Sequence, residues 1–70
     1  MNERFPNRLR QLRERRGLSR RTLSELGGPS RNMVTRYERG EAIPSAEAIC
    51  QLADYFEVSV DDLLGREKKF

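Results

Sequence analysis

The 70-residue sequence has no histidine and a single cysteine, Cys50. An intramolecular disulfide is therefore excluded, and so are the usual zinc ligand sets, which draw on several Cys and His side chains. No nucleophile–base pairing and no paired-carboxylate site is evident, so no catalysis is expected. Asp61 and Asp62 read instead as residues of a helix start. No apolar run approaches the roughly 18–20 residues that cross a bilayer, and the N-terminus lacks the apolar centre of a secretory signal. The expectation is a protein of the reducing cytoplasm with no metal, no cofactor and no membrane contact. No alternating apolar pattern is long enough for a sheet, which leaves an all-α fold. A chain this short makes one domain, near the size at which a core without disulfides or metal holds itself. It leaves no room for a separate catalytic or effector domain, and no small-molecule effector is expected within it.

Arginine is abundant and unevenly placed. Residues 1–40 carry eleven arginines against four acids, whereas residues 41–70 carry three cations against seven acids, so the formal net charge of +3 conceals a basic first half and an acidic second. A small domain polarised in this way presents one face to a polyanion.

The apolar spacing predicts five short helices around one core, over residues 1–65, with residues 66–70 as a short frayed tail. Phe5, Leu9 and Leu12 form one stripe of a first helix that Pro6 tolerates near its start and Gly17 ends. Ser19 caps a second helix with Leu23 and Leu26 on its buried side, and Gly27-Gly28-Pro29 breaks it. Ser30 caps a third with Val34 and Tyr37 inward and Gly40 as its stop. Ser45 caps a fourth, carrying Ala46, Ile49, Leu52, Ala53 and Phe56, in which Cys50 is expected as a quiet core thiol. Ser59 caps a fifth, Val60 to Leu64, with Asp62 at the capping-box distance and Gly65 at its end.

Four of these helices thus begin with serine, but their first turns carry different charges. Glu47 comes after Ser45, and Asp61 and Asp62 after Ser59, as the positive end of the helix macrodipole favours. Ser19 is succeeded by Arg20 and Arg21, and Ser30 by Arg31 and Asn32. Each mismatch costs about 0.3–1 kcal/mol in the free protein. The cost reverses when an external anion docks, because helix N-termini with open N–H groups bind phosphate and flanking arginines add charge-assisted hydrogen bonds. DNA offers phosphates in rows.

Two short helices, a tight turn and a polar second helix resemble the helix-turn-helix of the phage-repressor family, also called lambda-repressor-like or XRE-type. The segments that carry the likeness are LRQLRERRGLSRRTLSEL, SRNMVTRYERG, IPSAEAICQLADYF and VSVDDLLG, from Phe5 through Gly65 nearly the whole chain. Ser24 stands at the family's small residue between the two helices, Gly28 at its turn glycine, Val34 at its branched anchor and Tyr37 at the aromatic that packs on the first helix. Four positions depart from the pattern: Gly27 replaces a Leu or Val, Pro29 a Val or Thr, Arg20 a Gln, and Glu57 a helix-ending Gly. Because proline biases its predecessor away from helical angles, the positive φ of the turn falls on either Gly27 or Gly28.

The resemblance implies a compact bundle whose helices 2 and 3 form the helix-turn-helix, and a buried ion pair between Arg13 and Glu38. It implies a sequence-specific regulator of transcription, most simply a repressor that occupies a pseudo-palindromic double-stranded DNA operator as a homodimer, in a bacterial or phage cytoplasm and associated with the nucleoid when bound. Helix 3 enters the major groove in this class, which places Arg31, Asn32, Met33 and Arg36 at base-reading positions. Arginine favours guanine and asparagine favours adenine. Arg36, about 140° around the helix from Arg31, is either a deeper reader or a phosphate contact, and Met33 either meets a thymine methyl or fills a gap between helices. Ser19, Arg20, Ser30, Thr35 and Arg39 are candidates for phosphate binding, although caps and solvated arginines look the same in sequence. Arg8, Arg10, Arg15, Arg16 and Arg21 read as field or helix-surface charges. A dimer surface is sought in the acidic half, at Ile43, Val60 and Leu64, with Phe70 as a further candidate. The competing reading is an antitoxin-like or adaptor module that uses the same fold to bind protein.

Overall fold

The structure, a computed structural model, describes residues 4–65. The described residues are all-helical: α1 Arg4–Arg15, α2 Arg20–Gly27, α3 Arg31–Glu38, α4 Ala46–Phe56 and α5 Val60–Leu63. Residues 66–70, expected as a frayed tail and including Phe70, lie outside the described residues.

Four of the five helices start on a serine cap. The hydroxyls of Ser19, Ser30, Ser45 and Ser59 accept from the backbone N–H of Thr22, Met33, Ala48 and Asp62, at 3.0, 3.2, 3.1 and 3.0 Å. Each bond satisfies one of the donors that a helix start leaves open. The helices close over a core of Phe5, Leu9, Leu12, Leu23, Val34, Tyr37, Leu52, Ala53, Phe56 and Leu63. Phe5 meets Tyr37 edge to face with ring centroids 5.9 Å apart, which fastens α3 to α1. α3 also packs on α2, and α4 on α2 and α5.

Several sequence expectations change. Leu26 is 59% exposed rather than buried. α2 continues to Gly27, and it is Gly27 that faces α4: a Cβ there would lie 3.0 Å from Leu23 Cδ1 and 3.6 Å from Leu52 Cδ2. The missing side chain lets α2 and α4 approach, and Leu26 is turned aside. Gly28, not Gly27, takes the positive φ, at 107°, and Pro29 is buried behind it. Cys50 is exposed rather than a core thiol. It lies two residues from Leu52, about 200° around the helix from the buried stripe. Ala46 is likewise exposed, and Ile49 only half-buried. α5 ends at Leu63, with Leu64 as its cap.

Glu57 ends α4 in the left-handed region at φ 57°, ψ 43°, and Val58 N–H bonds back to Ala53 O at 3.0 Å. Arg16, read from sequence as a surface charge, closes the same helix end: its Nη2 donates to Phe56 O at 2.9 Å and its guanidinium stands 5.3 Å from the Phe56 ring centre. Glu57→Gly should relieve about 1–2 kcal/mol of left-handed strain, offset in part by about 0.4–1 kcal/mol of added unfolded-chain entropy. The expected net gain of about 0.5–1 kcal/mol is read as a rise in Tm of about 2–8 °C by circular dichroism; no rise would show that the Glu57 side chain contributes a compensating interaction.

Candidate nucleic-acid interface

The α2–turn–α3 unit carries the candidate residues. Neither helix has an acid in its first turn, in contrast to Glu47 in α4 and Asp61 and Asp62 in α5. The two helix starts that hold Arg20 and Arg31 therefore have no carboxylate of their own first turn to offset their N-terminal positive potential. Tight packing of α3 on α1 and α2, through Val34 and Tyr37, leaves the opposite side of α3 open.

On that open side Arg31 and Asn32 are exposed, and nothing within the described residues engages either side chain. Arg36 is also exposed, its Nη2 3.5 Å from Glu41 O, at the outer limit of a hydrogen bond. Arg39 reaches Glu41 at 3.4 Å. Ser19 and Ser30 are exposed caps, and Ser19 Oγ also bonds Thr22 Oγ1 at 2.9 Å. Thr35 is half-buried and its hydroxyl donates to Arg31 O one turn back at 3.2 Å, an exposed bond along the first turn of α3. Met33 is half-buried and packs against the core.

Behind α3 lies a charge cluster centred on Glu38, whose side chain is wholly shut off from solvent. Arg13 Nε donates to Glu38 Oε2 at 2.7 Å and Arg13 Nη2 to Oε1 at 3.2 Å, a fork-to-fork pair. Arg13 Nη1 donates to Leu18 O at 2.8 Å, tying the α1–α2 turn to the same group. The side-chain hydrogen bond to Glu38 raises the Arg13 pKa above its ordinary value, against the opposing effect of burial. Two more arginines join. Arg20 Nε donates to Glu38 Oε1 at 3.2 Å, and Arg10 Nε lies 3.6 Å from the same oxygen. Arg20 is thus held from within at the start of α2, which its place in the sequence did not reveal. Arg10, read as a field charge, belongs to this cluster; its spacing of three from Arg13 was the signal available. Arg8 is also no free charge, since its Nη2 forks onto both oxygens of Asp62 at 3.0 Å and fastens α1 to α5. Arg21 pairs with Glu25 one turn along at 3.5 Å, and Arg15 stays exposed.

The proposed dimer residues divide. Ile43 is 76% exposed and Val60 is exposed, whereas Leu64 is half-buried and packs against the core, so it contributes to the monomer. Among the described residues no group of three Cys, Asp or Glu side chains gathers as a metal site, and no helix is long and apolar enough to cross a membrane.

Comparison with known proteins agrees with this geometry. The family described as "Helix-turn-helix domain" matches residues 5–64. The chain is 40% identical over 63 residues to the HTH-type transcriptional regulator AnsR of Bacillus subtilis, covering 90% of this chain and 54% of that protein. A second relative is the cryptic phage CTXphi transcriptional repressor RstR of Vibrio cholerae, 41% identical over 39 residues, 56% of this chain and 35% of that one. The chain spans about half or less of the length of these curated relatives. Among solved structures, the restriction-modification controller protein C.AhdI from Aeromonas hydrophila superposes with a TM-score of 0.79 at 38% identity, covering 86% of this chain and 91% of that chain. A transcriptional regulator from Listeria innocua gives a TM-score of 0.82 at 32% identity over 94% of this chain and 62% of that one. This chain belongs to the helix-turn-helix family of DNA-binding transcriptional regulators of the phage-repressor, XRE type.

Proposed function

We propose that this chain is a sequence-specific, double-stranded DNA-binding regulator, most simply a repressor acting by occupation of its operator. The observation that carries the reading is the pair of serine-capped helix starts, at Arg20 and Arg31, left without a carboxylate in their first turns while two other helices of the same chain have one. A row of phosphates supplies the missing charge. Arg31 and Asn32, unengaged at the start of α3, are the base readers; Arg36 reads deeper in the groove or holds a phosphate. Ser19, Arg20, Ser30 and Arg39 position the protein on the backbone, and Thr35 acts by holding the first turn of α3. The name of the Vibrio cholerae relative supports repression.

One helix spans only a few base pairs, so two copies would place their α3 helices about 34–36 Å apart on a pseudo-palindrome. Exposed Ile43 and Val60 are the apolar side chains offered for that contact. The test is selection of bound sites from a random duplex pool, combined with binding across a salt series. A recovered inverted repeat and a steep loss of affinity with salt are expected. A flat salt response would sink the proposal and favour a protein-docking module on the same fold.

A further inference from the structure

Glu38 does more than neutralise Arg13. Arg10 from α1 and Arg20 from α2 converge on the same carboxylate oxygen, Oε1, each through its inner nitrogen Nε, at 3.6 and 3.2 Å. Both side chains are nevertheless 43% exposed. Within the described residues nothing engages the outer nitrogens, Nη1 and Nη2, of either arginine. Arg10 Nε itself is closed off from solvent without a hydrogen bond and faces Glu38, while the side chain as a whole is 43% exposed. A guanidinium presents five N–H donors in a rigid plane; with Nε turned inward, the outer pair of nitrogens faces out. Charge is also in excess here. Even counting Glu14, 3.8 Å from Arg13 Nη2, three cations face two carboxylates. The cluster adjoins the first turn of α2, which adds N–H groups and no acid.

We infer that Arg10 and Arg20, held side by side by Glu38, form a clamp for one phosphate of the DNA backbone, with Arg10 a direct phosphate ligand and Glu38 the positioning residue for both arginines. The inference rests on the DNA-binding reading above and extends it to a residue of α1 outside the helix-turn-helix. Long arginine side chains ordinarily lose rotamer entropy on binding. Here Glu38 has ordered them in advance, and a tetrahedral phosphate can accept from both forks at once.

The test measures the affinity of a mixed-sequence duplex of about two helical turns over about 50–200 mM salt. It compares the wild type with Arg10→Ala, Arg20→Ala, the double variant, and Arg15→Ala as an exposed arginine of the same helix. Thermal unfolding of each verifies that it is folded under the assay conditions. Arg10→Ala and Arg20→Ala should each weaken binding several-fold for every duplex. Their effects should be non-additive, the double variant lowering the log–log salt slope by a total of about 0.9, one phosphate, rather than about 1.8. Arg10→Lys, which keeps the charge and loses the fork, should restore only part of the affinity. Arg10→Ala indistinguishable from Arg15→Ala, full rescue by lysine, or strict additivity would overturn the clamp while leaving DNA binding in place. A wild type insensitive to salt would remove the DNA-binding reading itself, and the clamp with it.

Discussion

Glu38→Gln is expected to destabilise the fold by about 3–5 kcal/mol, because it leaves Arg13 as a buried cation faced only by the exposed Glu14 carboxylate at 3.8 Å. The geometry makes the loss large. Arg13 and Glu38 are both buried, Arg13 donates two hydrogen bonds to the Glu38 carboxylate, and the third arm of its fork donates to Leu18 O in the α1–α2 turn. A domain of this size has only some 5–15 kcal/mol in total, so the midpoint should drop by roughly 12–40 °C at about 4–8 °C per kcal/mol. Thermal or urea unfolding checks it. The converse result separates a costly broken pair from a strong intact one: Arg13→Met combined with Glu38→Leu removes both charges together and should be less destabilised than Glu38→Gln alone. A Glu38→Gln protein within about 1 kcal/mol of the wild type, less than a buried charged hydrogen bond is worth, would show that water reaches the pair in solution.

Arg31→Ala should cost about 1–3 kcal/mol on the preferred site, and only there, because an arginine read against guanine O6 and N7 discriminates at one base position. The side chain is exposed and free of partners within the described residues, so its removal leaves the fold intact. Arg20→Ala should instead weaken all sequences alike and flatten the salt dependence. Site selection repeated with each variant reads the difference directly: Arg31→Ala relaxes one column of the recovered motif, whereas Arg20→Ala leaves the motif unchanged. Equal behaviour of the two variants would refute the division into a base reader and a backbone anchor. Arg20 also donates to Glu38, so its stability is measured beside its affinity.

The likeness that pointed to Arg13 and Glu38 depended on matching residues 25 apart, since no local pattern links them. The structure brings their side chains to 2.7 Å and then adds Arg10, one turn from Arg13, and Arg20, whose part in the cluster no spacing announced. The turn shows the same boundary. Gly27-Gly28-Pro29 was legible as a break, yet which glycine took positive φ was not, because that depended on how closely α4 approaches. Gly27 stays helical against Leu52 and Gly28 turns at φ 107°. Met33 and Leu64 were ambiguous for a related reason: a single apolar residue at the margin of a stripe is buried or open according to its neighbour across the gap.

By itself the sequence determined what is local or periodic: the number and order of the five helices, the four serine caps, most of the apolar stripe, and the contrast between cationic and acidic first turns. Those features arise from hydrogen bonds and charges within a few residues of one another, so the order of residues suffices to specify them. Only the tertiary structure decided which arginines are free and which are engaged. Arg8, Arg10, Arg16 and Arg20 look alike in sequence to Arg15 and Arg31, but each of the first four is drawn to a carboxylate or carbonyl by the way the helices cross. A long flexible cation takes its role from whatever acceptor lies within reach, and reach is a property of packing.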